Sequence, residues 1–144
     1  MAAATLIQEI PNESDALIDL MEEVRRFCEE QELPGDAEYA AILAVEEIVN
    51  NTIKYGCRDG RRARIRLELA VNEDGLELVL EDDAIPFNPL RDAPEPEALH
   101  GGAPTKAGGL GIFLVRSLMD EAAYEAKNGG NRLLLRKSLA RKNT

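Results

Sequence analysis

The chain has 144 residues, 44% hydrophobic and 31% charged, a composition typical of one globular domain. The formal net charge is −10, so the basic surface of a nucleic-acid-binding protein is not expected. Cys28 and Cys57 lack the spacing of a metal site or a disulfide framework, and we expect reduced thiols. The N-terminus lacks the pattern of a secretory signal, and no segment is apolar for long enough to cross a bilayer. We therefore expect a cytoplasmic protein that does not engage a membrane.

The first part of the chain predicts one strand and two helices. Residues 5–10 are typical of a short strand that ends at Pro11. Apolar residues then recur at helical spacing over 14–32. A second helix is predicted over 37–55, and Gly56 is suited to end it.

The apolar period changes to two after residue 63. Apolar residues alternate with charged ones on both sides of a turn at 72–75, which predicts an antiparallel hairpin with one apolar face. A third helix is predicted to start near Gly109. Two short strands follow, over 122–126 and 132–137, joined by a turn at 128–130.

One apolar face per strand favours an α+β fold. We expect a two-layer sandwich in which three helices cover one face of a mixed, largely antiparallel sheet. Residues 84–109 are rich in proline and glycine and show no clear period. Because a long loop in a compact domain is often functional, a lid is predicted at about 88–109 within a single domain, 1–144.

Residues 44–56 carry the most informative motif. Glu47 and Asn51 are four residues apart and share one helix face, and Glu46 and Asn50 form a second such pair. A carboxylate one turn from a carboxamide is suited to orient a hydroxyl and to ligate a hard metal ion through oxygen. A solvated acidic helix face explains the same residues, and the segment alone favours that interpretation.

Two later segments change that balance. Asp82 stands at a strand end, where a carboxylate is suited to accept a hydrogen bond from an exocyclic amine; an acidic turn before a proline is the alternative. The run Gly108-Gly109-Leu110-Gly111 opens a helix and leaves backbone N–H groups uncovered at its positive end, where phosphates bind. Flexible hinges also use glycine, so this segment alone is a weak signal.

In this order and spacing, the three segments resemble the N, G1 and G2 boxes of the ATPase fold shared by gyrase, Hsp90, histidine kinases and MutL. The short chain and the run from Gly108 to Glu121 narrow the resemblance to the anti-sigma-factor serine kinases, over roughly residues 14–138.

The resemblance implies a role for each motif, with ATP and Mg²⁺ as cofactors. Glu47 is the implied general base and Asn51 the Mg²⁺ ligand, a register that fits the family better than Glu46 with Asn50. Asp82 is the implied partner of the adenine amine. Lys106 is assigned as a phosphate contact, with a solvated loop lysine as the alternative. The implied cofactor-binding residues are Asn51, Asp82, Ala84, Lys106, Gly108, Gly109, Leu110 and Gly111.

The implied function is that of an ATP-dependent serine protein kinase that doubles as an anti-sigma factor. Its implied partners are a sigma factor, a STAS-domain antagonist phosphorylated on serine, and a second copy of the chain in a homodimer. An ATP-binding adaptor without phosphate transfer is the main alternative. The catalytic domain of a histidine kinase is disfavoured, because the one histidine, His100, lies in the predicted lid.

The chain departs from the family pattern at four positions. Ala84 and Pro86 stand where the G1 box usually has glycines, and Tyr55 stands where histidine is frequent. Asn131 follows Gly130 where the family often has threonine near the adenine. These departures bear on the contacts to the base more than on the fold.

Overall fold

The helices and strands follow the predicted order. The computed structural model describes residues 4–92 and 108–139. Strand β1 (Ala4–Pro11) precedes helices α1 (Ser14–Glu30) and α2 (Gly35–Asn51), and one π-helical turn (Thr52–Gly56) continues α2. Strands β2 (Arg64–Val71) and β3 (Gly75–Asp82) and the short helix α3 (Pro89–Asp92) follow. Helix α4 (Gly108–Leu118) and strands β4 (Glu121–Lys127) and β5 (Gly130–Ser138) complete the described part.

The described strands form one sheet in the order β1-β2-β3-β5-β4. Each pairing within it is antiparallel, which confirms the largely antiparallel sheet expected from the alternating pattern. Asn128 and Gly129 join β4 to β5 with φ angles of 52° and 78°, the left-handed backbone of a two-residue Asn-Gly turn. At the other hairpin, the Asn72 side-chain oxygen accepts hydrogen bonds from the Asp74 and Gly75 amides and fixes the turn.

The sheet has one apolar and one charged face, because side chains alternate along each strand. The charged face carries cross-strand ion pairs, such as Arg136 Nε to Glu77 at 2.8 Å and Arg64 Nε to Glu9 at 2.7 Å. The apolar face and helices α1, α2 and α4 bury one common core, which confirms the two-layer sandwich. Its central side chains include Val24, Val45, Val49, Ile65, Leu67, Leu69, Leu78, Val115 and Leu135.

The end of α2 differs from the prediction. A helix over 37–55 was expected, but the backbone is α-helical only to Asn51 and then widens into the π-helical turn, which ends at Gly56 as predicted. Insertions of this kind are rare and occur mostly at functional sites. Asn51 is therefore the last α-helical residue before a local change of helix geometry.

Most of the predicted lid lies outside the described residues. Helix α3 lies at its start, and the Arg116 guanidinium of α4 donates to the Leu90 carbonyl of α3 at 3.3 Å. Lys106 and His100 lie outside the described residues.

Cys28 and Cys57 are both free and buried, in agreement with the expected reduced thiols. Burial raises the pKa of Cys28 to about 11, so this thiol stays protonated at neutral pH. None of the helices described is long and apolar enough to cross a membrane.

The central strand β3 provides a test of the core. We expect Leu78→Ala to lower the free energy of unfolding by about 2–5 kcal/mol, because the Leu78 side chain is fully buried and its removal leaves a cavity. Urea denaturation measures this change. Ile18→Ala is the matched control on α1, where Ile18 is 59% exposed, and it should change stability by no more than about 0.5 kcal/mol. Equal losses in the two variants would contradict the described core.

Candidate functional site

A pocket opens on the helix side of the sheet, where β3 ends opposite the start of β5. The end of α2, the π-helical turn and the loop after β3 form its other walls. The walls are mostly apolar, and a few polar side chains converge on the interior, as in small-molecule sites. The lining residues are Ile48, Asn51, Thr52, Gly56, Leu80, Asp82, Ile85, Phe87, Pro89, Tyr124, Asn131 and Leu133.

Asp82 is the acidic group of this pocket. It is the last residue of β3 and lies directly opposite Asn131 in the register of β3 and β5. Its Oδ1 accepts hydrogen bonds from the Ala84 amide at 2.9 Å and from Asn131 Nδ2 at 2.8 Å. Its Oδ2 lies 3.3 Å from the Thr52 hydroxyl. The carboxylate is therefore held in one orientation by the strand, the loop and the π-helical turn.

The close approach of β5 to this carboxylate requires glycine. Gly130 begins β5, and a Cβ atom there would lie 2.0 Å from the Asp82 carbonyl oxygen. A backbone atom cannot yield as a side chain can, so any larger residue would push β5 away from β3. Gly130 thus allows Asn131 to reach Asp82.

The electrostatics of Asp82 are those of a desolvated acid. Burial raises the pKa of its carboxyl, although the hydrogen bonds from Asn131, Ala84 and Thr52 act in the opposite direction. Thr52 has one hydroxyl hydrogen, and Oγ1 also lies 3.1 Å from the Ile48 carbonyl. Because a hydroxyl donates only one hydrogen, Oδ2 receives at most a shared and long bond.

The structure distinguishes the two carboxylate–carboxamide pairs of α2. Glu46 and Asn50 are exposed, whereas Glu47 is half-buried and Asn51 is buried. Asn51 lines the pocket, and its Nδ2 is a buried polar atom without a hydrogen-bond partner among residues 4–92 and 108–139. Since buried amides are normally paired, this N–H group is a donor that a group entering the pocket can use.

Glu47 lies against the start of α4 rather than in the pocket lining. A Cβ atom on Gly111 would lie 2.0 Å from the Glu47 carboxylate, so only glycine allows this contact. Burial raises the pKa of Glu47, and the neighbouring Glu46 carboxylate raises it further. The carboxylate thus sits one helical turn from Asn51, beside a helix N-terminus that attracts anions.

The remaining predicted residues have different placements. Ala84 is fully buried in a small cluster with Cys57 and Ala63, and it touches the site through its backbone N–H rather than its side chain. The backbone of Gly108, Gly109 and Leu110 forms the first turn of α4.

Sequence reasoning missed three residues that line the pocket: Thr52, Phe87 and Tyr124. Phe87 stacks on Tyr55, with ring centroids 5.1 Å apart, and so ties the loop after β3 to the π-helical turn. Their proximity to the motifs was a weak signal: Thr52 follows Asn51, and Tyr124 is the one aromatic residue of its strand.

The donor set near Asn51 suits a hard cation only in part. In the described ranges, no group of three histidine, cysteine, aspartate or glutamate side chains is placed to hold a metal. A Mg²⁺ ion is commonly held by one or two protein oxygens together with phosphate oxygens of its ligand. The Asn51 carboxamide can supply one oxygen to that second arrangement, because it is buried and lines the pocket. Its unpartnered Nδ2 is a hydrogen-bond donor and does not ligate a metal ion.

The model of the histidine kinase-like ATPase domain matches residues 10–137. An anti-sigma F factor of Clostridium perfringens is 29% identical over 98 residues, which cover 67% of this chain and 69% of that protein.

Two proteins named serine-protein kinase RsbW are similar over a shorter stretch. Those of Oceanobacillus iheyensis and Bacillus subtilis are each 26% identical over 90 residues, or 60% of this chain. The aligned stretches span 57% and 56% of these two kinases, little more than half of their length.

The contact between Gly111 and Glu47 can be tested without a ligand. We expect Gly111→Ala to displace the Glu47 carboxylate toward solvent and to lower its pKa toward the ordinary value. Stability should hold, because the displaced group is the end of a flexible side chain and alanine favours helix by up to about 1 kcal/mol. NMR titration of the Glu47 carboxyl measures the pKa, and urea denaturation the stability.

The matched control is Gly35→Ala, since a Cβ atom on Gly35 would have no atom of the described residues within 4 Å. It should leave the Glu47 pKa unchanged. An unchanged pKa in Gly111→Ala would contradict the described contact.

The raised pKa of Asp82 predicts how stability depends on pH. An acid whose pKa is raised by folding binds its proton more tightly in the folded state, so stability falls as pH rises from the ordinary aspartate range through the raised pKa. Asp82→Asn should abolish this part of the pH dependence and leave stability at pH 7 equal to or above that of the wild type. Urea denaturation between pH 4 and pH 8 (roughly the window set by ordinary carboxyl values) measures it.

Asp83→Asn removes the same charge from an exposed neighbour and serves as control. It should change stability at pH 7 by no more than about 0.5 kcal/mol. A marked loss of stability at pH 7 in Asp82→Asn alone would show that the charge on Asp82 stabilises the fold.

Proposed function

The chain belongs to the histidine kinase-like ATPase domain family, and on that premise we propose that it is an ATP-dependent serine protein kinase of the cytoplasm that also acts as an anti-sigma factor. The similarity to proteins named anti-sigma F factor and serine-protein kinase RsbW supports both parts of this proposal. The observation that carries it is the arrangement of Asp82, Asn51 and Glu47 along one path, from the interior of the pocket to the start of α4.

The adenine base is proposed to lie in the pocket against its apolar walls, with its exocyclic amine on Asp82. The phosphates then extend past Asn51 toward the first turn of α4. Backbone N–H groups at a helix start stabilise phosphate charge, which matters in a protein of net charge −10. The buried Asn51 side chain lies between these two ends and supports this direction for the nucleotide.

Asn51 is proposed to hold a Mg²⁺ ion together with the phosphates. When bound, the ion would neutralise charge on the β- and γ-phosphates. The unpartnered Nδ2 atom is consistent with an amide whose environment is completed only by the nucleotide.

Glu47 is the proposed general base. The serine Oγ of the protein substrate attacks the γ-phosphorus, the bond to the ADP oxygen breaks, and the serine proton passes to the Glu47 carboxylate. The burial that raises the pKa of Glu47 brings its basicity closer to neutral pH, where a general base works best. Its position beside α4 supports this role, because the same helix start is the proposed phosphate site.

The proposed protein partners are a sigma factor and a STAS-domain antagonist, and the active form is proposed to be a homodimer. Phosphorylation would add about 1.5 to 2 negative charges to the antagonist. Because this chain already carries −10, like-charge repulsion favours release of the phosphorylated product. Release of the antagonist and capture of the sigma factor would then alternate.

A second candidate function is an adaptor that binds ATP without transferring phosphate. Ala84 and Pro86 favour it, because they replace glycines in the G1 box. The half-buried Glu47 argues against it, since an adaptor does not require a base.

Phosphate transfer from labelled ATP to the STAS-domain protein encoded nearest this gene tests the kinase directly. We expect Glu47→Gln to slow transfer by roughly 10²- to 10⁴-fold while ATP still binds, because only the base is lost. Asn51→Ala should weaken Mg²⁺-dependent nucleotide binding itself.

Glu46→Gln and Asn50→Ala are the matched controls, since they make the same chemical changes on the exposed pair one position earlier. Both should transfer phosphate at the wild-type rate. Nucleotide binding and a stable partner complex without transfer would refute the kinase and leave the adaptor. Transfer that is lost in Glu46→Gln but kept in Glu47→Gln would move the base to the other pair.

A further inference from the structure

We propose that Asn131 determines which nucleobase the pocket accepts. Its amide occupies one oxygen of Asp82 and leaves the other as a single acceptor, so the pocket selects a purine with a 6-amino group over one with a 6-oxo group. This inference rests on the proposed nucleotide site and adds a specificity residue to it.

Asn131 is held by hydrogen bonds on both ends of its amide. Its Nδ2 donates to Asp82 Oδ1 at 2.8 Å and to the Ile85 carbonyl at 3.1 Å. Its Oδ1 accepts from the Phe87 amide at 2.8 Å and from the Tyr124 hydroxyl. A flipped amide would point its N–H groups at the Phe87 N–H and its oxygen at two acceptors, so the network fixes its orientation.

Because of this network, the two carboxylate oxygens of Asp82 differ in how many hydrogen bonds they already accept. Oδ1 receives the Ala84 and Asn131 donors, which use its two acceptor sites. Oδ2 has the Thr52 hydroxyl at 3.3 Å, and that hydroxyl also lies 3.1 Å from the Ile48 carbonyl. Only Oδ2 therefore keeps a full acceptor site for a ligand.

The two purine bases place different demands on a carboxylate. Guanine presents two adjacent donors, N1–H and the 2-amino group, which are matched by both oxygens of a free carboxylate. Adenine presents one amino group beside N1, which is an acceptor. With Oδ1 already occupied, Asp82 meets the single adenine donor in full, but it leaves one guanine donor buried and unpaired, which weakens guanine binding by roughly tenfold or more.

A hydroxyl at position 131 would not replace this amide. It has one hydrogen, whereas the Asn131 Nδ2 donates to Asp82 and Ile85 at once. An asparagine here also ties the loop after β3 to β5 through Phe87.

Equilibrium binding of ATP and GTP to the full chain, each with Mg²⁺, tests the proposal. We expect the wild type to prefer ATP by roughly tenfold or more, as one charged hydrogen bond implies. Asn131→Ala should reduce that preference by a similar factor, because Oδ1 then becomes available to a second donor. Asn131→Leu, which is close in shape to asparagine and admits no replacement water, should do the same.

Asn50→Ala is the matched control. It removes an exposed amide of α2 that stands outside the pocket lining, so the ratio of ATP to GTP affinity should stay at the wild-type value. Urea midpoints of all variants establish that each is folded.

A merely structural role for Asn131 would lower both affinities by the same factor, and that result would overturn the proposal. Equal affinity of the wild type for ATP and GTP would also overturn it, whatever the variants do. Absence of binding to either nucleotide would instead refute the nucleotide site on which both proposals rest.

Discussion

The site depends on one interaction: a carboxylate on the buried face of an otherwise apolar strand, bridged to the neighbouring strand by an amide. Asp82 continues the row of Leu76, Leu78 and Leu80, and its inward position would be unfavourable without partners. Asn131 supplies a partner from β5, and Gly130 permits the strands to approach closely enough. The loop after β3 is then anchored to the same amide, so the wall of the pocket is built around this pair.

The part of the site between α2 and α4 concerns how acidic side chains are placed near the proposed phosphate path. A chain of net charge −10 places two further carboxylates, Glu46 and Glu47, near the proposed phosphate path. Sequence position separates them: one helix step turns Glu46 to solvent and Glu47 toward α4. Gly111 leaves room there, so the carboxylate meets the N-terminal part of a helix, the region of the fold most favourable to negative charge.

Periodicity predicted the sandwich because each strand has one apolar face and each long helix one apolar stripe, and both patterns are local in sequence. The Asn-Gly turn was predictable for the same reason.

The π-helical turn was not predictable, since no residue between Thr52 and Gly56 marks a change of helix type. Family resemblance chose Glu47 and Asn51 over Glu46 and Asn50, and in the structure the chosen pair is the more buried of the two. The hydrogen-bond network around Asn131 could not be predicted from the sequence, because it joins residues up to 49 positions apart and depends on the register of β3 and β5.

Three costs to stability converge on one small region, and their coincidence supports a functional site without reference to any relative. Asp82 and Glu47 are acids whose pKa values are raised mainly by burial, and the buried amide nitrogen of Asn51 has no partner in the described part of the chain. A chain optimised for stability alone would place apolar residues at such positions, because each group loses hydration on folding. Proteins retain locally unfavourable groups chiefly where function requires them. A bound ligand would offset these costs by pairing Oδ2 of Asp82 and the amide of Asn51. The groups that lower the stability of the free domain are therefore the groups that would bind a nucleotide.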